Sequence, residues 1–348
     1  QDVEFIVKRT GTGWIDYTKR ISANPAEGRV QFIGKGKILD EDTRSALCLG
    51  RTEQRKIILG FGKDGSFLKT LYISDVDGTL YRGGEASLRD QTRELFSRLL
   101  QTGTAVTIAS GRNLYGIYDI ATESGITLPV IAYNGAAVYD FHKGKAVKIF
   151  PMEREKTREL CQLFEDVGHR YKACVFFEEE QRCLTFNQNG YRSQLWNDLA
   201  RHPQNGLLYD EPVLERSISE ILSGECLYIG TSGTYEQLLP IHEKACTISG
   251  VQSVMHRSPY DENKWFVDIG SDKAGKGAAV LFLKEMLGAE ELVTFGDNHN
   301  DIPMLEAADR CYTVPEAPEE VKAIVNGVLD DDPDCVLKFL LKEVNQQA

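Results

Sequence analysis

The sequence predicts an α/β fold: a doubly wound, Rossmann-like parallel sheet, interrupted by an inserted αβ segment and preceded by a small β-rich module. Three observations carry this expectation. From Leu71 onward, short apolar runs alternate with amphipathic helical stretches. Strands apolar on both faces are what a parallel sheet covered by helices requires. The alternation stops near Tyr139 and resumes after Lys276, with a second αβ pattern between. Residues 1–68 differ in charge from everything after them: 12 Lys+Arg against 9 Asp+Glu, a net of +3, where the other 280 residues hold 28 against 43, a net of -15.

In chain order, the first zone holds nine glycines and reads as short strands at Val3–Lys8, Trp14–Lys19, Arg29–Gly34 and Lys56–Gly60. Gly62-Lys63-Asp64-Gly65 has the Asp-Gly pair of a hairpin turn, which tolerates positive φ. The sheet domain begins with a strand at Leu71–Ser74. A helix over Ser87–Leu100 follows, with Leu88, Leu95, Phe96, Leu99 and Leu100 on one face and Gly103 as its stop. A strand at Ala105–Ala109, a helix at Asn113–Ser124 closed by Gly125, and a strand at Pro129–Tyr133 continue the pattern. After Lys276 come a helix over Ala278–Leu287, a strand at Leu292–Phe295, a short helix at Asp301–Ala308 and a strand at Cys311–Val314. The inserted segment shows strands at Lys172–Phe177, Cys183–Asn187, Cys226–Gly230 and Val251–Met255. Its helices fall at Glu153–Val167, Tyr191–Ala200 and Tyr235–Cys246. The expected division is therefore 1–68, then 69–138 with 264–348, and 139–263 as an insertion large enough to be a domain.

Composition narrows the function classes. With 348 residues, a prior of one domain per ~150 residues gives about two or three domains. Hydrophobic residues at 42% and charged residues at 26% exclude a disordered or fibrous chain. The net charge of -12 argues against the basic stripe of a nucleic-acid binder. No apolar run approaches the ~18 residues of a membrane span, and no signal peptide is visible. The sequence opens on Gln1 rather than Met, which leaves open whether a leader precedes it. The eight cysteines are scattered, with no C-x-x-C pair, which points to reduced thiols and a cytoplasmic protein.

Four sheet strands end in a polar residue: Asp75, Ser110, Asn134 and Asp297. Alone, each would pass as a turn residue. In a doubly wound sheet the ligand sits beyond the carboxyl ends of the strands, so four together build a polar pocket. The first of them opens Asp75-Val76-Asp77-Gly78-Thr79. Two carboxylates two positions apart on a loop can divide two tasks. One attacks phosphorus as a nucleophile, and the other protonates the leaving oxygen and later activates water. Crowding two anions raises the pKa of one, which suits an acid at neutral pH. Gly78 permits a tight turn whose backbone N–H groups can hold phosphoryl oxygens.

The string Asp75–Leu80, then Ser110-Gly111-Arg112, then Lys276-Gly277-Ala278-Ala279, then Gly296-Asp297-Asn298-His299-Asn300-Asp301 resembles the haloacid dehalogenase superfamily of phosphatases. Order and spacing are similar to its Cof-type members, which insert a large αβ cap of type IIB after the third sheet strand. Tyr133-Asn134-Gly135-Ala136 adds to that likeness, which covers residues 70 to about 345. The resemblance implies a Mg²⁺-dependent phosphomonoester hydrolase acting on a small phosphorylated metabolite, a sugar phosphate or a cofactor phosphate. It implies Asp75 as nucleophile and Asp77 as general acid/base, with the Asp77 backbone carbonyl on the metal. Ser110 would hydrogen-bond the transferring phosphoryl group, and Lys276 would neutralise charge. Asp297 would bind Mg²⁺, with Asn300 and Asp301 helping to hold the metal and its waters. The substrate-binding set is Gly78, Thr79, Gly111, Arg112, Asn134, Gly135 and Asn300; the metal set is Asp75, Asp77, Asp297 and Asp301. Chemistry agrees, since Mg²⁺ favours few carboxylates plus water and phosphate oxygens, and phosphoryl transfer needs positive charge and positioning.

Some features stay open at this level. Lys273 competes with Lys276, which is preferred because Lys-Gly opening a helix is the form the resemblance implies. His299 reads as a first-turn surface residue, because Mg²⁺ prefers oxygen. Arg112 is either a structural hydrogen-bond donor at a helix start or a phosphate contact. Glu178-Glu179-Glu180 reads as a solvated turn and Gly34-Lys35-Gly36-Lys37 as a basic hairpin tip. A phosphomutase would use the same aspartate pair. A binding or scaffold role centred on residues 1–68, through oligomerisation or tethering, is the other alternative. No nucleic-acid or membrane partner is expected.

Overall fold

The computed structural model describes residues 2–7, 17–24, 29–32, 68–82, 88–179, 181–187, 211–214, 218–257, 261 and 263–347. Near the start of the chain, β1 (Asp2–Val7), β2 (Tyr17–Asn24) and β3 (Arg29–Phe32) form a three-stranded antiparallel sheet. The described part of the expected strand Trp14–Lys19, residues 17–19, lies in β2, which runs on to Asn24. The expected strand at 56–60, the turn at 62–65, the tip at 34–37 and the helix at 191–200 lie outside the described residues.

The sheet domain follows the predicted alternation. It contains β4 (Thr70–Asp75), α1 (Asp90–Gln101), β5 (Ala105–Ala109), α2 (Leu114–Glu123), β6 (Val130–Ala132), β7 (Ala137–Asp140) and β8 (Lys145–Ile149). The second αβ unit holds α3 (Arg154–Asp166), β9 (Lys172–Phe177), β10 (Arg182–Asn187), β11 (Glu211–Leu214), α4 (Ile218–Ile221), β12 (Glu225–Gly233), α5 (Tyr235–Cys246), β13 (Val251–Arg257) and β14 (Trp265–Ser271). The chain then returns through α6 (Lys276–Leu287), β15 (Glu291–Phe295), α7 (Ile302–Glu306), β16 (Arg310–Thr313), α8 (Glu319–Lys322), β17 (Gly327–Val328) and α9 (Cys335–Gln347).

Local chemistry explains the elements that bound the site. All six residues of β4 are buried, as a central strand between two helical layers requires. Leu71 and Ile73 join Val280, Leu283 and Leu287 of α6 in one apolar layer. Tyr72 joins Phe96, Leu99, Ile117 and Leu337 in the other. Helix α1 buries Thr92, Leu95, Phe96 and Leu99, a 3–4 spacing that makes one stripe. Asn113, expected inside α2, is its N-cap and accepts from the Gly116 N–H at 2.6 Å.

The main sheet runs β17-β16-β15-β4-β5-β6-β7-β8, and its strands from β17 to β6 are parallel. The chain winds outward from β4 to β6, then re-enters on the opposite side of β4 at β15. The β4/β15 junction is therefore the topological switch point. The other large sheet runs β11-β10-β9-β12-β14-β13.

These two sheets shift the expected segment boundaries. The β7–β8 hairpin, expected to open the insertion at 139, extends the main sheet by antiparallel pairing on β6. Strand β14, expected in the sheet domain from 264, lies between β12 and β13 of the second sheet. Both are strands whose apolar pattern is the same in either sheet. Only long-range hydrogen bonding decides where such a strand goes.

Candidate active site

Asp75 closes β4, and Asp297 follows the end of β15 by two residues, so both stand in the switch-point crevice. Gly78 makes the turn that folds the Asp75 loop back, with φ +91°, and its N–H donates to the Tyr81 carbonyl at 3.0 Å. A Cβ at Gly78 would lie 2.8 Å from Cγ of Asp297, so the glycine lets the two loops meet. Thr79 donates its hydroxyl to Asp297 Oδ1 at 2.7 Å and holds that carboxylate in place.

Lys276, the first residue of α6, is fully buried. Its ammonium donates to Asp75 Oδ1 and, at 2.6 Å, to Asp301 Oδ1. The other Asp301 oxygen accepts from the backbone N–H groups of Asp297 at 3.0 Å and Asn298 at 3.1 Å. Lys273 sits outside this contact, and its backbone N–H donates to the Ser271 hydroxyl.

The electrostatics follow from this packing. Burial pushes the Asp75 carboxyl well above its ordinary range; Lys276 pulls it back, and Asp301 and Asp297 push it up again. Burial alone would lower the Lys276 ammonium, but Asp75 and Asp301 reverse that and hold it protonated. Burial also raises Asp297, against the hydrogen bond from Thr79. Three carboxylates thus share one ammonium. Asp75, Asp297 and Asp301 each offer an oxygen, and these oxygens lie within 4.8 Å of one another. Hard oxygen donors with an uncompensated negative charge of two fit a divalent cation of the Mg²⁺ class. The Asp77 carboxylate is not one of the three.

Asp77 instead faces Arg112. The guanidinium grips it in a fork, Nε to Oδ2 at 2.8 Å and Nη2 to Oδ1 at 2.6 Å, while Nη1 donates to the Gly116 carbonyl at 3.1 Å. The bond to Gly116 lies at the start of α2, and the fork on Asp77 is charge-assisted and bidentate. Replacing it, as in Arg112→Gln, is expected to lower kcat about 10²-fold through misplacement of Asp77, with little change in thermal midpoint. Steady-state kinetics alongside thermal unfolding check this.

Ser110 is buried at the end of β5, and its hydroxyl accepts from the Arg112 N–H at 3.1 Å. The Asn134 N–H donates to the Ser110 carbonyl at 3.0 Å, and Asn134 Oδ1 accepts from Asn300 Nδ2 at 3.1 Å. Gly111 lies under the same amide, where a Cβ would come within 2.9 Å of Asn134 Oδ1. Gly135 packs on backbone: a Cβ there would lie 2.6 Å from the Lys276 nitrogen. His299 is exposed and turned to Asn298, 3.3 Å from Asn298 Oδ1. The described part of the acidic run, Glu178 and Glu179, forms an exposed turn.

Two features escaped the sequence reading. Tyr133 has φ +52° and precedes Asn134 at φ +51° and Gly135 at φ +96°, so three left-handed residues in a row reverse the chain beside the site. The Asn-Gly pair after a strand was the available signal. The Arg112–Asp77 fork had none, because its partners are 35 positions apart.

Comparison with known proteins bears on this site. The family described as haloacid dehalogenase-like hydrolases matches residues 72–340, most of the chain. The chain belongs to this family. Pyridoxal phosphate phosphatase YbhA of Escherichia coli K12 is 24% identical over 279 residues, covering 76% of this chain and 95% of its own. Phosphatase YwpJ of Bacillus subtilis 168 is 24% identical over 290 residues, covering 78% of this chain and 98% of its own. Among solved structures, a haloacid dehalogenase-like hydrolase from Bacteroides thetaiotaomicron shares the fold with a TM-score of 0.62 at 18% identity, covering 79% of this chain and 99% of that one. The haloacid dehalogenase subclass IIB sugar phosphatase BT4131 does so with a TM-score of 0.58 at 20% identity, covering 79% and 98%. This member of the haloacid dehalogenase-like hydrolases is a phosphatase of the Cof type, and the second sheet with its helices is its cap. Among the described residues, no helix is long and apolar enough to cross a membrane.

Proposed function

We propose that this phosphatase is a Mg²⁺-dependent phosphomonoester hydrolase. It works through an aspartyl-phosphate on Asp75, with a sugar phosphate or a cofactor phosphate as substrate. The observation that carries this reading is the buried Lys276 ammonium seated between Asp75 and Asp301, in a crevice lined by a third carboxylate. A pyridoxal phosphate phosphatase and a sugar phosphatase among the similar proteins support the two substrate classes.

The roles divide as follows. An Asp75 oxygen attacks phosphorus and forms the acyl phosphate as the P–O bond to the leaving group breaks. Asp77 delivers a proton to that leaving oxygen, then takes one from the water that hydrolyses the acyl phosphate. Lys276 neutralises Asp75 and the incoming phosphoryl charge, and Ser110 donates its hydroxyl to a phosphoryl oxygen. The backbone N–H groups of Thr79 and Gly111 bind the remaining oxygens, and Asn134, Gly135 and Asn300 shape the wall beside them. Arg112 is a positioning residue: its fork holds Asp77 and releases it when the phosphate offers a second anion. Asp75, Asp297 and Asp301, with the Asp77 carbonyl and assistance from Asn300, would hold Mg²⁺, which supplies charge neutralisation in the transition state.

A phosphate-release screen over phosphorylated metabolites with Mg²⁺ present tests the reading. EDTA is expected to abolish release, Mg²⁺ to restore it, and Ca²⁺ to support little turnover, because its larger shell positions oxygens less strictly. Full activity after thorough chelation would remove the metal from the reading.

We further read residues 1–68 as a separate module, the stretch from about 150 to 271 as the cap segment and the remainder as the catalytic core. The first module contributes none of the residues named above, and a tethering or assembly role is its remaining use. The cytoplasm, a reducing compartment, is consistent with the seven described cysteines, all of them free thiols.

A further inference from the structure

Helix α5 packs on one face of the cap sheet. Its Leu238, Ile241 and Ala245, spaced by three and four, are buried in one apolar cluster with Ile229, Val267 and Ile269 of that sheet. Tyr228 precedes Ile229 on β12 and points the other way, where its ring packs on Tyr133 with centroids 5.9 Å apart. Tyr133 leads into Asn134, whose amide meets Asn300 of the active-site loop. Helix α5 and the catalytic crevice therefore stand on opposite sides of the cap sheet.

His242 and Cys246 follow Ile241 and Ala245 directly, so they run along the margin of the buried stripe, one turn apart on the same side of the helix. Cys246 Sγ lies 3.8 Å from His242 Nε2 and 3.9 Å from Nδ1. His242 is half-buried and Cys246 is exposed. The other described cysteines are all buried, so among the described residues this is the thiol that a dissolved ion can reach.

Ser253 on β13 meets the same margin, and its hydroxyl shares a hydrogen bond of 2.9 Å with His242 Nδ1. In the tautomer that donates Nδ1–H to the Ser253 oxygen, Nε2 carries the lone pair a metal needs. An orienting bond of this kind is usual at metal-bound histidines. Thiolate sulfur and imidazole nitrogen bind Zn²⁺ at about 2.3 and 2.0–2.1 Å, so a tetrahedral ion holds the two donors about 3.5 Å apart. The Cys246 and His242 donors are already near that spacing. The two similar distances put the sulfur at the ring edge between the nitrogens, and rotation of the exposed thiol about Cα–Cβ turns it toward Nε2. The last turn of a helix favours a cation through its outward carbonyls. Lys244, two positions from each donor, lies on another side of the helix.

We propose that Cys246 and His242 bind a divalent cation of the Zn²⁺ class, at a site separate from the all-oxygen Asp75 cluster. Thiolate and imidazole suit Zn²⁺ and Co²⁺, whereas Mg²⁺ takes oxygen, so the two sites sort ions by hardness. Two histidines at i and i+4 on one helix face are a zinc-binding spacing, and here a cysteine takes the second place. The thiol proton leaves to solvent as the sulfur–metal bond forms, and water fills the remaining positions on the ion. The ion ties the last two turns of α5 together, and Ser253 carries that restraint to β13. It stabilises the cap by binding the folded form, without touching the residues of the crevice.

The test titrates the reduced full chain with Co²⁺ in the presence of excess Mg²⁺, with folding checked by thermal unfolding. A thiolate bound to Co²⁺ gives a near-ultraviolet charge-transfer band, which an all-oxygen site does not. The wild type is expected to show that band and to lose it when Zn²⁺ is added. Cys246→Ser should abolish it, and alkylation of the exposed thiol with iodoacetamide should do the same without a substitution. His242→Gln should weaken Co²⁺ binding by about tenfold or more, and Ser253→Ala, which removes only the orienting bond, by a smaller factor. Hydrolysis of p-nitrophenyl phosphate with Mg²⁺ alone should be the same in all three variants. No band in the folded wild type overturns the proposal. So does a band that survives Cys246→Ser, that Mg²⁺ displaces, or that His242→Gln leaves at wild-type affinity.

Discussion

Asp75→Asn is expected to reduce turnover on any phosphomonoester by about 10⁴-fold or more, while the protein remains folded. The amide keeps the shape of the carboxylate and removes the anion proposed to attack phosphorus. Its effect on stability should be opposite in sign. Burial, Asp301 and Asp297 all disfavour a charge at this position, and only Lys276 favours it. A neutral side chain relieves that crowding, so the thermal midpoint is expected to stay level or rise, as at sites where function opposes stability. Single-turnover kinetics and thermal unfolding of the variant decide both halves. More than about a tenth of wild-type turnover would take Asp75 out of the nucleophile role.

Gly135→Ala is expected to be the most damaging of the small substitutions. The position has φ +96°, which an alanine adopts only under strain. The added Cβ would also run into the Gly275 carbonyl and come within 2.6 Å of the Lys276 nitrogen. Both are backbone atoms at the start of α6, so no side chain can swing aside. Strain and overpacking together are worth about 2–6 kcal/mol. Because the relief must move Lys276, whose ammonium bridges Asp75 and Asp301, kcat should fall about 10²-fold as well. Gly103→Ala is the matched control. It has φ +81° and nothing within 4 Å of the new methyl, so it carries the backbone strain alone. Chemical denaturation of the pair separates collision from strain; equal destabilisation would show that the Gly135 contact with α6 is not tight.

Gly135 also shows how sequence and structure differ as sources. In the sequence it was one of several residues beside Asn134, grouped with those that bind substrate. In the structure its close backbone contact also seats the helix that carries Lys276. Arg112, open in the sequence between a phosphate contact and a helix-start bond, has a fork on Asp77 that no local pattern announces. The expected bounds at 138 and 264 shift because the patterns of β7 and β14 are silent about partners.

What the sequence by itself determined was everything carried by local pattern. The strand–helix alternation, the polar residue at each strand end and the loop from Asp75 to Thr79 are readable because burial periodicity and turn chemistry act over a few residues. What only the tertiary structure decided was which distant groups meet. Lys276 reaches Asp75 across 201 positions, Thr79 reaches Asp297 across 218, and Lys172 and Asp268 close over Gly230 from separate strands. The reason is physical: a side chain's charge state and task depend on its neighbours in space. Those neighbours follow from strand order and register, which bring together positions that no local window contains.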